Sequence, residues 1–257
     1  RAWKSILDDI MLNTQASGLT SYEESAGIPE LRAAIARNLM TERGMKCFPE
    51  QIIVQSGTQA ALMNLLMLFD REQDVVAMEE PGYSGARLAF ELAGFQLAPA
   101  RTWTPQGGEL FMDDLKNINA KLVYTTPSSQ FPAGLTMTRE MRLKLLTWAH
   151  VHNTFIIEDD YCCEYRYNAA PVPALFGLDK YDRVIYMGTF SKVLSPALRM
   201  NYLVLPPELV ERWSEVFVDA YPYTPWITQE TLHRFLTSNH WNNHVRRMQG
   251  LGRRKYQ

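Results

Sequence analysis

Short apolar runs alternate with stretches of helical spacing along almost the whole chain. That alternation restricts the fold more than any other feature of the sequence. Residues 75–78, 95–98, 122–126, 154–157, 184–187 and 202–205 read as strands, bounded by turn-forming residues. Residues 52–54 read as a short strand or as a run leading into a helix. Helical spacing covers 3–12, the stretch from Pro29 through Leu31, Ile35 and Leu39 to Arg43-Gly44, and then 60–69, 84–93, 138–150, 208–218, 228–236 and 241–256. Thr138 with Met141 marks one helix start. Strands and helices at these intervals predict an α/β fold with a mostly parallel central sheet flanked by helices. A chain of 257 residues has room for one large domain, or for one domain and part of another.

In open α/β sheets, ligands bind beyond the carboxyl ends of the strands. Polar clusters at Ser56, Tyr83, Ser128, Asp159 and Lys192 each follow a predicted strand, so they can converge on one site. Other chemistries are poorly served. With 26 basic against 28 acidic residues, the chain carries no electrostatic footprint for nucleic acid. No apolar run reaches membrane-span length, and residues 1–5 are not a signal peptide. Cys47, Cys162 and Cys163 form an odd set with two adjacent members, which is poor material for a disulfide framework; a reducing, cytoplasmic setting is expected. No Cys/His metal spacing occurs, and His150 and His152 face different directions on a helix.

The stretch Gly188-Thr-Phe-Ser-Lys-Val-Leu-Ser-Pro-Ala-Leu-Arg199 carries the most chemistry. A lysine amine among hydroxyls, followed by an arginine, suits an aldehyde cofactor held as a Schiff base with its phosphate on the hydroxyls and arginine. Alone, Lys192 also reads as a surface lysine in a Ser-rich turn. A pyridoxal phosphate site needs a carboxylate at the pyridine nitrogen, and Asp159 is the candidate; its alternative is a turn carboxylate. Tyr83 could cover the ring, or anchor a loop to the core. Tyr161 could donate to the phenolic oxygen. Gly57, Thr58, Thr189 and Arg199 offer a phosphate cup, although a Ser/Thr turn before a helix is also an ordinary cap.

These motifs together resemble the fold-type I, aspartate-aminotransferase-like pyridoxal phosphate proteins. More narrowly, the chain resembles the aminotransferase-like domain of the MocR-type branch of the GntR regulators. The resemblance rests on Ser56-Gly-Thr-Gln59, Glu80-Pro-Gly-Tyr83, Thr126-Pro-Ser-Ser-Gln-Phe-Pro-Ala-Gly134, Ile157-Glu-Asp-Asp-Tyr161 with Glu164-Tyr-Arg-Tyr167, and Gly188-Thr-Phe-Ser-Lys192 through Leu198-Arg199. It implies the large domain of a fold-type I transferase, with pyridoxal 5'-phosphate as cofactor. Lys192 would be the Schiff-base lysine, Asp159 the partner of the pyridine nitrogen, Tyr161 a neighbour of the phenolic oxygen and Tyr83 the ring-stacking group. Gly57, Thr58, Thr189 and Arg199 would bind phosphate, and Gln59, Ser128 and Ser191 would complete the cofactor-binding set. Tyr22 matches a tyrosine that reaches the partner subunit's site, which implies a homodimer.

The chain departs from the pattern in two places. Phe131 stands where enzymes of this fold usually carry Asn, leaving Gln130 or Ser128 to replace that hydrogen bond. Glu24-Ser25 stands where Asp-Pro is usual. The chain lacks an initial methionine and ends in a helical pattern, so a fragment is expected. The division expected is 1–30 as an N-terminal, dimer-contacting arm, 31–225 as the cofactor-binding domain, and 226–257 as a helical segment leading toward a small C-terminal domain. The resemblance implies a winged-helix DNA reader before Arg1. The implied function is effector sensing, in which an amino compound forms an external aldimine in place of Lys192. A working class I/II aminotransferase of amino acids is the alternative, and a cofactor-free scaffold with a relict site the third reading. The expected partners are a second copy, an amino compound and, through the absent reader alone, DNA; no membrane partner is expected.

Overall fold

The computed structural model describes residues 2–14, 24–104, 109–164 and 172–256. Among these, seven strands form one sheet: β1 (Ile52–Gln55), β2 (Val75–Glu80), β3 (Gln96–Arg101), β4 (Ala120–Thr125), β5 (Phe155–Asp159), β6 (Val184–Thr189) and β7 (Asn201–Val204). Their order is β1-β7-β6-β5-β4-β2-β3. The helices are α1 (Ala2–Asn13), α2 (Pro29–Arg43), α3 (Thr58–Leu66), α4 (Ser84–Leu92), α5 (Glu109–Asn117), α6 (Arg139–Val151), α7 (Leu175–Leu178), α8 (Pro207–Val216), α9 (Trp226–Thr237) and α10 (Asn239–Tyr256). None of the described helices is long and apolar enough to cross a membrane.

The apolar runs become strands because helices cover both faces of the sheet. Phe155 and Ile157 of β5 pack toward α3, α4 and α8, with Leu62, Phe90 and Trp213. The intervening Ile156 packs toward α5 and α6, with Phe111 and Leu145. A second core on that side joins Leu31, Ile35 and Leu39 of α2 to Tyr186, Val204 and residues of α9 and α10. Helix boundaries follow local chemistry. Gly44 ends α2 in the left-handed conformation and returns its N–H to Leu39 and Met40. The Thr138 hydroxyl accepts from the Met141 N–H at 3.2 Å and caps α6.

Several features go beyond the sequence reading. Residues 52–54 belong to a strand, not to a helix leader. β3 continues through Pro99 to Arg101, which an edge strand tolerates. Helix α5, which buries Phe111 and Leu115 at i and i+4, lies in a stretch where no element was anticipated. β7 runs antiparallel to both β6 and β1, while the other pairs are parallel. Residues 190–200 hold turns and a single 3-10 turn, Pro196–Leu198, and no crossover helix to return the chain for a parallel pairing. The start of β7 therefore lies beside the ends of its neighbours: Asn201 pairs with Thr189 and with Gln55.

Candidate functional site

The strand ends enclose a pocket of about 160 Å³. Thr58, Tyr83, Thr126, Phe131, Asp159, Tyr161, Thr189, Ser191, Lys192, Pro196 and Arg199 line it. Side chains from the ends of β1, β2, β4, β5 and β6 thus meet, as the spacing of polar clusters anticipated. Gly57 lies directly behind Arg199. Gln59 and Ser128 are outside the lining. The Gln59 amide donates to the Gly85 carbonyl at 3.3 Å, and Ser128 Oγ accepts from Arg43 at 3.4 Å. Tyr22 falls outside the described residues, as does the Tyr165-Arg-Tyr167 part of the second acidic motif.

Strand periodicity sorts the acidic knot. Asp159 and Asp160 are consecutive, so their side chains leave opposite faces of the sheet. Asp159 enters the pocket, where its Oδ2 accepts from the buried Tyr124 hydroxyl at 2.6 Å. Burial pushes its carboxyl up to about 7, while the Tyr124 hydrogen bond and the Lys192 charge work in the other direction. Asp160 turns away, to Arg43 at 2.6 Å and the Tyr186 hydroxyl at 2.9 Å. Lys192 Nζ sits 6.0 Å from the centroid of the Tyr161 ring. The Tyr161 hydroxyl donates to the Ser129 carbonyl at 3.0 Å. Tyr83 and Phe131 meet edge to face, with centroids 5.5 Å apart, and form an aromatic wall.

The opposite end of the pocket suits an anion. α3 begins at Thr58, and its preceding Gly57 has φ of 88°. A side chain at Gly57 would overlap the Arg199 guanidinium. Glycine therefore lets the arginine lie across a helix N-terminus, where N–H groups and the helix dipole favour negative charge. Asn201 fixes the turn by accepting the Gly57 N–H at 3.1 Å. Thr189 Oγ1 accepts from the Ser191 N–H at 3.1 Å and donates to the Met200 carbonyl at 3.3 Å. Gly57→Ala is expected to cost about 1–3 kcal/mol of stability, since φ is positive there, and to weaken binding of phosphate-bearing ligands. Thermal denaturation of the ligand-free variant and phosphate-ligand titration check the two effects.

The sequence reading missed the groups that hold the loops around this pocket. Glu79 is buried and accepts from the Thr126 N–H at 2.8 Å, the Thr126 hydroxyl at 3.0 Å and the Gln130 amide at 3.2 Å. Burial raises its carboxyl to about 7. Gln130 also donates to the carbonyls of Pro81 and Phe131, at 2.8 and 2.6 Å, so its amide serves the loop and Phe131 fills the wall. Glu158 is buried against Arg142, which also reaches the Pro127 and Met137 carbonyls. One signal was available: a carboxylate in the last positions of a buried strand requires partners.

The arrangement combines an amine, a buried carboxylate, an aromatic wall and an anion cup in one cleft. The sequence profile of aminotransferase class I and II matches residues 1–247. The chain is 41% identical over 237 residues to the probable rhizopine catabolism regulatory protein MocR of Rhizobium meliloti, covering 91% of this chain and 47% of that protein. It is 32% identical over 241 residues to a 2-aminoadipate transaminase of Thermus thermophilus, covering 92% of this chain and 59% of that one. The chain spans about half the length of the curated regulators it matches. Its fold superposes on the crystal structure of the Thermus thermophilus α-aminoadipate aminotransferase LysN, complexed with N-(5'-phosphopyridoxyl)-L-leucine. The TM-score is 0.86 at 28% identity, covering 99% of this chain and 64% of that chain.

Proposed function

The chain belongs to the aminotransferase class I and II family, and on that footing we propose that it is the cofactor-binding, effector-sensing part of a MocR-type transcription regulator. Its 41% identity to a regulatory protein over 91% of the chain carries this reading. Fold and family imply pyridoxal 5'-phosphate, and the residues present fit it. The glycine-backed Arg199 cup matches a phosphate. The buried Asp159 matches a ring cation, which would draw its carboxyl down from about 7 and keep it ionised. The cofactor supplies an aldehyde that condenses with primary amines and a ring that withdraws electrons.

This chain's residues would divide the work. Lys192 Nζ would hold the aldehyde carbon. Asp159, oriented by Tyr124, would hold the proton on the ring nitrogen. Tyr83 and Phe131 would exclude water from the ring, and the Tyr161 hydroxyl would turn from Ser129 toward the phenolic oxygen. Thr58, Thr189, Ser191 and Arg199 would bind phosphate at the start of α3. An amino compound would compete with Lys192, and its different contacts would bias the conformation of the protein. Homodimerisation, with Tyr22 reaching the partner's site, and DNA binding through a domain outside this chain belong to the same proposal.

The 32% identity to a transaminase supports a second reading, catalysis of amino-group transfer. The two readings separate when cofactor-loaded protein is mixed with a panel of amino acids and other primary amines, together with a second keto acid that can accept the amino group. The sensor reading expects a saturable spectral change without accumulation of keto acid. Steady production of keto acid from any of them would replace it with the enzyme reading.

A further inference from the structure

Helix α10 touches both chain segments that carry the principal residues of the pocket. Trp241, His244 and Val245 are spaced i, i+3 and i+4, so they share one face. Trp241 and Val245 are buried in the same cluster as Phe190 and Val193, which flank Lys192 in the turn after β6. Phe190 meets the Trp241 ring edge to face, with centroids 5.9 Å apart. Between the two apolar anchors, His244 Nε2 lies 2.7 Å from the carbonyl oxygen of Val193, the residue after Lys192. That oxygen can only accept, so Nε2 carries the proton. Nδ1 is then the acceptor, and Arg247 donates to it at 3.3 Å. The neighbouring Arg247 thus fixes the tautomer that His244 needs to hold the turn.

One and a half turns further along, the Gln249 amide donates to the Glu164 carbonyl at 2.9 Å. Glu164 lies in the turn that follows β5 and carries Tyr161. One helix therefore grips the lysine turn and the aspartate–tyrosine turn by main-chain carbonyls, which hold regardless of the side chains on those turns.

We propose that α10 sets the position of Lys192 relative to Asp159 and Tyr161, with His244 and Gln249 as positioning residues that act through the Val193 and Glu164 carbonyls. The inference rests on the proposed cofactor site. A shift of α10 moves both turns, and displacement of Lys192 is felt in return at α10, because linkage is reciprocal.

The test is an equilibrium titration of pyridoxal phosphate into the purified full chain, followed by visible absorption. It compares the wild type with His244→Leu, His244→Asn, His244→Gln and Gln249→Leu. A glutamine amide reaches where Nε2 lies; an asparagine amide is too short. Loss of one such hydrogen bond is expected to weaken cofactor binding by about threefold to tenfold in the Leu and Asn variants, with His244→Gln restoring near-wild-type affinity. Melting of the cofactor-free proteins separates this effect from general unfolding, and the Asn–Gln comparison decides the matter if His244→Leu does not fold. Equal affinities for Asn and wild type, or a Gln variant as weak as Asn, would overturn the role of His244. Absence of an absorption band in the wild type would instead overturn the cofactor site, and this inference with it.

Discussion

Replacement of Lys192 by alanine is expected to abolish the visible absorption band of the cofactor-loaded protein completely. Among the described residues lining the pocket, Lys192 supplies the one amine; the other cation there, Arg199, is a guanidinium that does not condense with an aldehyde at neutral pH. The anion cup is contributed by other groups, Gly57 and Thr58 at the start of α3 and the Thr189 and Arg199 side chains, so it survives the substitution. The variant should therefore still bind the cofactor, weakly and without the lysine-linked band. Lys192→Arg sharpens the test, because it keeps the positive charge near Asp159 but removes the reactive amine. Loss of the band in both variants assigns it to covalent attachment; a band retained in Lys192→Arg would assign it to charge alone. Difference spectra of wild type and both variants at matched cofactor concentrations check this.

The largest effect on stability is expected at Arg142, which lies outside the pocket lining. Both Arg142 and Glu158 have fully buried side chains, 3.2 Å apart. Arg142 also donates to the Pro127 carbonyl at 2.8 Å and the Met137 carbonyl at 3.1 Å. Glu158 in turn accepts from the N–H groups of Leu175 and Phe176, at 2.8 and 3.0 Å. One guanidinium thus ties the loop after β4, the start of α6 and the end of β5 around the pocket. Arg142→Met leaves Glu158 buried without its cation and removes one donor from each of the Pro127 and Met137 carbonyls, at a cost of about 3–5 kcal/mol. For a protein of this size that lowers the melting temperature by roughly 10 °C. Adding Glu158→Gln removes the unpaired charge while keeping an acceptor oxygen for one of the two N–H groups, so the double variant should recover part of the loss. Calorimetric melting of wild type, single and double variants gives the answer.

These two substitutions also mark what could be read from the sequence. Lys192, Asp159 and the Gly57–Thr58 turn were legible because each follows a run of buried residues, and strand ends are where such sheets place polar groups. The strand register gives the reason that Asp159 faces the pocket while Asp160 turns to Arg43 and Tyr186. Arg142 gave no signal. It lies within the helical period of α6, and its burial comes from Glu158, sixteen positions away in sequence but adjacent in space. The same holds for Asn201 and for the direction of β7. Asn201 depends on pairing with Ile52–Gln55, a contact between distant parts of the chain that local periodicity does not encode, and the direction of β7 follows from the short connection after β6. His244 and Gln249 were read only as part of a helix, since their partners are main-chain carbonyls, which leave no residue pattern. Phe131 was visible as a departure from the family pattern. Its place in an aromatic wall with Tyr83, and the engagement of Gln130 by Glu79, required the folded loop.

We propose that the five strand ends build a site for pyridoxal phosphate on Lys192. Titration of the purified wild-type chain with the cofactor, followed by visible absorption and by binding of the unreactive deoxypyridoxine phosphate, tests it most directly. The account expects a saturable band at a single equivalent of cofactor per chain, removed by borohydride reduction with the label recovered on the peptide containing Lys192. Binding without any band, or a label recovered on another lysine, would contradict it.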